Sequence, residues 1–328
     1  MRNEVARQVT RVLGVERAGA ASEPPGSRPT VNTDAYIAYQ RGRCFWNDRN
    51  EASLLQAIEH FTRATELASN FAAAYAGLAD AYAMMPFYGR RALPDWEAGA
   101  LARVAARRAV ALDSMSAEAW TSLASVYRCF DWDLDAALAG FQRAISLNPS
   151  YATARHWYGA ALQDVGHISE AIAETEVALE LDPLSRIIGP NLGDHLLAAG
   201  RFEDALQRYR QTLALDSTFT GARVGLADAY AALGRYDEAL EEYRRVGTWL
   251  GPLRVYLRTG GRARARAMLD LQLAPAPATI TSATHDESSP YMLAIGYRLL
   301  GNADSALPWL SRAFEERSVR IPGILGDA

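Results

Sequence analysis

One spacing constrains this chain more than any other property. Pro149 closes the phrase SLNP, Pro183 closes ELDP 34 residues later, and another 34 residues lead to Ser217 at the end of ALDS. A second beat runs between these marks: a glycine and then an alanine, at Gly166/Ala171, Gly200/Ala205, Gly234/Ala239, Gly260/Ala265 and Gly301/Ala306. A fixed period of this length marks stacked supersecondary units, none of which can bury its apolar face alone.

Within each period the rhythm is that of two antiparallel helices joined by a tight turn. The glycines supply the backbone shape that ends the first helix. Small residues are expected where the helices press together: Ala79, Ala124, Gly159, Gly193 and Ala227 on first helices, and Ala57, Ala102, Ala137, Ala171, Ala205, Ala239 and Ala306 on second helices. Large residues fill the remaining gaps, with Tyr82, Tyr127, Tyr230 and Tyr297 on first helices and Phe61, Phe141, Tyr209 and Tyr243 on second helices. The Pro or Asp-Ser after a second helix stops it, and Ser can cap the next.

The clearest unit is GARVGLADAYAALGRYDEALEEYRRV, with Leu226, Ala227 and Tyr230 followed by Gly234, Ala239 and Tyr243. It resembles the tetratricopeptide repeat (TPR) family. That resemblance implies an all-α solenoid, a right-handed superhelix of helical hairpins. About eight repeats are expected, roughly at 34–70, 71–115, 116–149, 150–183, 184–217, 218–247, 248–273 and 287–318. MMPFYGRRALPDW lengthens the turn of the second repeat, and RCFWNDRN adds residues to the first. Residues 1–33 are expected to hold a short amphipathic helix, with Val5, Val9, Val12 and Leu13 on one side, and then a Pro/Gly/Ser linker over 19–29. Residues 34–273 carry repeats one to seven, 274–286 form a second flexible linker, and 287–328 hold the last repeat and a tail.

The span 34–328 also resembles a narrower group, the C-terminal TPR regions of bacterial multidomain signalling proteins. The matching phrases are AYIAYQRGRCFWNDR, FAAAYAGLADAYA, YATARHWYGAALQDVGHISEAI and SPYMLAIGYRLLGNADSALPWLSRAFEERS. In that group the preceding domains are winged-helix regulators, serine/threonine kinases or adenylate cyclases. The resemblance implies, as the alternative to a free-standing scaffold, a sensor or regulatory region whose effector domain is not in this chain. Effector function itself is not carried over, because the residues before 34 spell none of those domains.

Composition narrows the partners. With 49% hydrophobic residues, 22% charged and a net charge of −4, nothing in the balance calls for nucleic acid or an anionic membrane. Arg supplies all the basic charge, since the chain has no Lys. Two distant cysteines, Cys44 and Cys129, make neither a disulfide framework nor a cysteine zinc site. No apolar run approaches the roughly 18–20 residues of a membrane span. A cytoplasmic location is expected, or a periplasmic one if the chain is the C-terminal part of a longer membrane-anchored protein.

Catalytic signatures are missing: no GxGxxG after a strand, no GxxxxGK[ST], no HExxH and no GxSxG. The expectation is therefore no enzyme, no cofactor and no metal. His60, His156, His167, His195 and His285 show no metal-ligand spacing. His156-Trp157-Tyr158 reads as interhelical packing rather than a stacking patch. Asp131, Asp133 and Asp135 read as a capped turn, since FDWDLD lacks the Gly and Glu of a calcium loop. Arg262, Arg264 and Arg266 alternate along a helix and do not share one face.

What remains is an interaction scaffold for a peptide or protein segment. TPR superhelices present a concave groove lined by first helices, and in this register the groove-facing residues are Asp80, Ser125, Arg128, His156, Gln163, Asp194 and Asp228. Some TPR domains clamp a terminal carboxylate with Lys and Asn. Here Asp80, Asp194 and Asp228 occupy the Asn positions, which points to a neutral or basic segment instead. Oligomeric state is not written in the sequence.

Overall fold

The computed structural model describes residues 32–88, 92–273, 289–316 and 318. The expected N-terminal helix, the 19–29 linker and the 274–286 linker lie outside the described residues.

The described residues form eight helical hairpins. They are α1 (Thr33–Asn47) with α2 (Glu51–Leu67), α3 (Ala72–Tyr88) with α4 (Asp95–Leu112), α5 (Ala117–Val126) with α6 (Leu134–Leu147), and α7 (Ala152–Asp164) with α8 (Ile168–Leu181). The second half is α9 (Ile188–Ala198) with α10 (Phe202–Leu215), α11 (Thr220–Ala232) with α12 (Tyr236–Val246), α13 (Leu250–Arg258) with α14 (Arg262–Leu273), and α15 (Pro290–Leu299) with α16 (Ala303–Glu315). Each helix packs on the next, and each first helix also touches the first helix of the following repeat. No strand occurs among the described residues.

The turns obey the glycine beat. Gly166, Gly200, Gly234, Gly260 and Gly301 have φ between +73° and +81°. After α7, the amide of His167 donates to the Leu162 carbonyl and that of Gly166 to the Gln163 carbonyl, both at 2.9 Å. These two bonds satisfy carbonyls that the helix end would otherwise orphan. The same pair recurs at Gly200/Arg201, Gly234/Arg235, Gly260/Gly261 and Gly301/Asn302. Repeats one and three depart from it. Their left-handed residues are Arg49 (φ 53°) and Trp132 (φ 56°), and in repeat three the helix ends in a π-turn, Tyr127–Asp131. The two sequence insertions show as longer helices. The added RCFWNDRN residues lengthen α1, and MMPFYGRRALPDW extends α3 through Pro86 to Tyr88.

Small residues sit where the rhythm placed them. Ala57, Ala102, Ala137, Ala171, Ala205 and Ala239 are completely buried, as is Ala265 of the worn seventh repeat, while Ala306 is only half-buried. The largest wholly buried side chains are Tyr209, Tyr243, Phe61 and Phe141, one on the second helix of each of four repeats. At Ala171 the α7–α8 crossing is so close that a Cβ on Gly159 would stand 3.0 Å from the Ala171 carbonyl oxygen. Ala171→Leu is therefore expected to cost about 1–3 kcal/mol by overpacking. It should appear as a lowered midpoint in urea; an unchanged midpoint would mean that this crossing has room to spare.

The superhelix winds back on itself. Trp132, after α5, meets Phe314 of α16 with ring centroids 5.1 Å apart and planes tilted by 47°. Pro94 and Trp96 at the start of α4 face Pro290 and Glu316 across a shared cleft. Inside the coil, Arg186 between α8 and α9 reaches the α1–α2 turn. It donates to the Asn47 carbonyl at 3.4 Å and lies 3.7 Å from Asp48.

Candidate functional site: the concave face

The first helices α1, α3, α5, α7, α9, α11 and α13 carry the face that the sequence predicts as the inner wall. Along its N-terminal half the wall meets itself. Trp46, at the end of α1, sits edge-on to Trp157 of α7 at 6.1 Å, and both indoles are buried. The Arg43 and Arg49 guanidinium groups lie over the Trp46 ring at 4.5 and 3.6 Å. Arg43 and Arg49 also act on two of the sequence-predicted positions, Asp80 and His156.

Asp80 is buried, salt-bridged to Arg43 at 3.4 Å and hydrogen-bonded by the Ser122 hydroxyl at 2.6 Å. Burial pushes its carboxyl up to about 6 against the pull of Arg43 and Ser122. Ser125 is buried one turn before Arg128. The Arg128 Nε donates to Asp164 at 2.7 Å, and that carboxylate, with a bond to the guanidinium, holds the group charged despite its burial. His156 is buried and accepts at Nε2 from the Asn191 amide at 2.6 Å. Burial and the nearby Arg49 charge push it down to about 3, so it is neutral at physiological pH. Gln163 accepts from Nδ1 of His195, which burial lowers to about 4.

Toward the C-terminal half the wall opens. Asp194 on α9 is exposed, and Asp228 on α11 is half-buried. Each accepts, at 2.5 Å, the hydroxyl of its own repeat's second-helix tyrosine, Tyr209 for Asp194 and Tyr243 for Asp228. Crowding by protein raises both carboxyls above the ordinary aspartate value, and the tyrosine hydroxyls oppose the rise. Arg254 on α13 is exposed and lowers the Asp228 carboxyl through its charge.

The structure thus separates the seven predicted groove residues by exposure. Asp80, Ser125 and His156 are buried, Arg128, Gln163 and Asp228 are half-buried, and Asp194 is exposed. Sequence reasoning missed Trp46, Arg49, Asp164, Asn191 and His195. The lengthened RCFWNDRN segment was the available signal for the first two. The Asp cluster resolves as local structure. Asp131 pairs with Arg103, and Asp133 caps α6 by accepting from the Ala136 amide at 3.0 Å. The three C-terminal arginines are each committed. Arg262 donates to the Leu300 carbonyl, Arg264 lies over the Tyr256 ring, and Arg266 pairs with Asp270 at 2.9 Å. No helix among the described residues is long and apolar enough to cross a membrane.

A family model for the tetratricopeptide repeat matches residues 196–252, from the end of α9 into α13. No curated protein matches the sequence. Among solved structures, the human IFIT1 dimer with m7Gppp-AAAA superposes with a TM-score of 0.59 at 14% identity, covering 95% of this chain and 76% of that one. TTC0263, a thermophilic TPR protein of Thermus thermophilus, is 20% identical with a TM-score of 0.49, covering 60% of this chain and 99% of its own. A tetratricopeptide repeat protein from Parabacteroides merdae gives 14% identity and a TM-score of 0.49 over 83% of this chain and all of the other. At such identities the IFIT1 likeness concerns fold alone. With the 34-residue period, the repeated glycine caps and the match over residues 196–252 in hand, the chain folds as a solenoid of tetratricopeptide-type helical hairpins.

Proposed function

We propose that this protein is an interaction scaffold, not an enzyme, and that a segment of a partner protein lies along the concave face of repeats four to seven. The observation that carries the reading is the difference between the two halves of the inner wall. Asp194 and Arg254 are exposed and Gln163 and Asp228 half-exposed, whereas Asp80, Ser125 and His156 are sealed. In this reading Gln163, Asp194 and Asp228 touch the partner, while Asp80, Ser125, Arg128 and His156 stiffen the wall behind them.

The preferred segment is neutral or basic. Asp194 and Asp228 place two carboxylates along the open floor, and the chain has no Lys to clamp a terminal carboxylate. Like charges brought together in a desolvated interface cost several kcal/mol. Arg254 beside Asp228 offsets this locally, at one end of the floor. Protein is favoured over nucleic acid because the net charge is −4 and each of the exposed Arg262, Arg264 and Arg266 already has a partner in the fold.

The test is a peptide array of acidic, neutral and basic sequences, each with free and amidated C-termini, probed at two salt concentrations. Basic peptides should bind best and weaken as salt rises. Asp194→Asn with Asp228→Asn should flatten the preference by about tenfold, the equivalent of roughly 1.4 kcal/mol. Tighter binding of acidic peptides, lost on amidation, would overturn the reading.

A further inference from the structure

The turn between α1 and α2 breaks two rules at once. Its left-handed residue is Arg49, at the place where five other repeats use glycine. A long side chain is strained there, and such strain persists only where the surroundings impose it. The side chain then turns inward rather than to water. Its Nε and Nη1 are shut off from solvent, and neither has a hydrogen-bond partner.

A buried cation needs a paired anion. The candidates nearby are already engaged. Asp80 is held by Arg43 and by Ser122. Glu118, the other carboxylate whose charge is felt in this cluster, accepts from the Ser116 hydroxyl at 3.0 Å and is only half-buried. Arg43 and Asp80 balance each other, which leaves the Arg49 charge uncompensated. Burial consequently lowers the Arg49 guanidinium to about 10.

The surrounding unpaired groups share one character. Trp46 Nε1 is buried without an acceptor, directly under the Arg49 guanidinium. The Tyr151 hydroxyl is shut off from solvent, with the Thr153 side chain as its neighbour but no well-formed hydrogen bond, and lies close enough to feel the charges of Arg43 and Asp80 and to act on Arg49. Each of these groups can donate a hydrogen bond, and Arg43 also lies over the Trp46 ring, at 4.5 Å. Arg49 as a residue is half-exposed at the α1–α2 turn, while its Nε and Nη1 are covered.

We infer that the α1–α2 turn is a binding site for a small oxyanion, a phosphate or carboxylate group, held by Arg49 together with Trp46 and Tyr151. The anion supplies the charge that Asp80 cannot, and its oxygens accept from donors that otherwise have no partner. The site lies in the sealed half of the wall, away from Asp194 and Asp228, and the inference does not depend on the scaffold reading.

The experiment is a thermal-unfolding titration of the full chain with inorganic phosphate and, separately, acetate, with sodium chloride at matched ionic strength as reference. At least one oxyanion should raise Tm saturably above chloride, and the stronger of the two identifies the headgroup. Arg49→Gly keeps the left-handed turn and removes the guanidinium, so it should fold. It should abolish the oxyanion-specific rise and weaken the apparent affinity by about thirtyfold or more. Without oxyanion its Tm should equal or exceed that of the parent, because a strained residue and an unpaired cation have both gone. Tyr151→Phe should weaken the response without removing it. No rise above chloride in the parent protein, or an equal rise in Arg49→Gly, would overturn the assignment.

Discussion

Tyr209→Ala is expected to destabilise the protein by about 3–5 kcal/mol, the range for removing a buried aromatic ring from a core that cannot close over the gap. Tyr209 is wholly buried on α10, between two first helices. Its ring rests on Gly193 of α9 and Gly225 of α11, where added Cβ atoms would stand 2.6 and 2.3 Å from ring carbons. The ring is thus a spacer between helix backbones, and backbones held by neighbouring repeats cannot move in to fill its place. Alanine leaves a cavity and also removes the hydroxyl that Asp194 accepts at 2.5 Å. Tyr209→Phe separates these losses. It keeps the spacer, and because Asp194 is exposed, water can replace the lost donor, so its cost should be near ~1 kcal/mol. Urea denaturation of both variants tests the account. A cost below about 1 kcal/mol for the alanine variant would show that the repeats can slide together.

The second large effect is electrostatic. Asp164→Ala should cost about 3 kcal/mol, the low end for breaking a buried ion pair from one side. Arg128 and Asp164 meet at 2.7 Å with side-chain exposures of 25% and 10%, so water can only partly rescue the stranded guanidinium. Asp164 is the carboxylate that acts most on Arg128; the other neighbours that feel the Arg128 charge are His156 and His195, both neutral, and Cys129. Removing both partners, as in R128M/D164L, should recover most of the loss, because an apolar pair of similar volume carries no desolvation cost. A double-mutant cycle in urea measures this. If the single substitution were as mild as the double, the pair would behave as an exposed one.

How much of this was legible in the residues depended on the distance over which each feature is built. The glycine caps and the small residues at crossings are set within one repeat, and Gly166, Ala171 and their equivalents stand where the period put them. The inner wall is different. Asp80, Ser125 and His156 were assigned to a face by their place in a single helix, but whether that face meets solvent depends on curvature accumulated over several repeats. Trp46 touches Trp157 only because small rotations between hairpins add up. Glycine seats such as Gly225 were also passed over, since the ring that fills one belongs to the preceding repeat. Arg49 and Trp132 were hidden for a third reason. A left-handed turn is normally read from glycine, and here two other residues take that shape.

The softest motion of a linear solenoid is a change in pitch, as in a spring whose turns touch only their neighbours. Here the turns are also fastened across the coil. The aromatic contact from Trp132 to Phe314 joins the third repeat to the eighth, and Arg186 joins the entry of the fifth to the first. Stretching the coil must break both fastenings together, so elastic deformation is replaced by a threshold. The last hairpin is likewise tethered and cannot fray independently, as the end of an open array would. Under the proposed scaffold reading, selection among partners would then fall to their fit and charge rather than to the compliance of the scaffold.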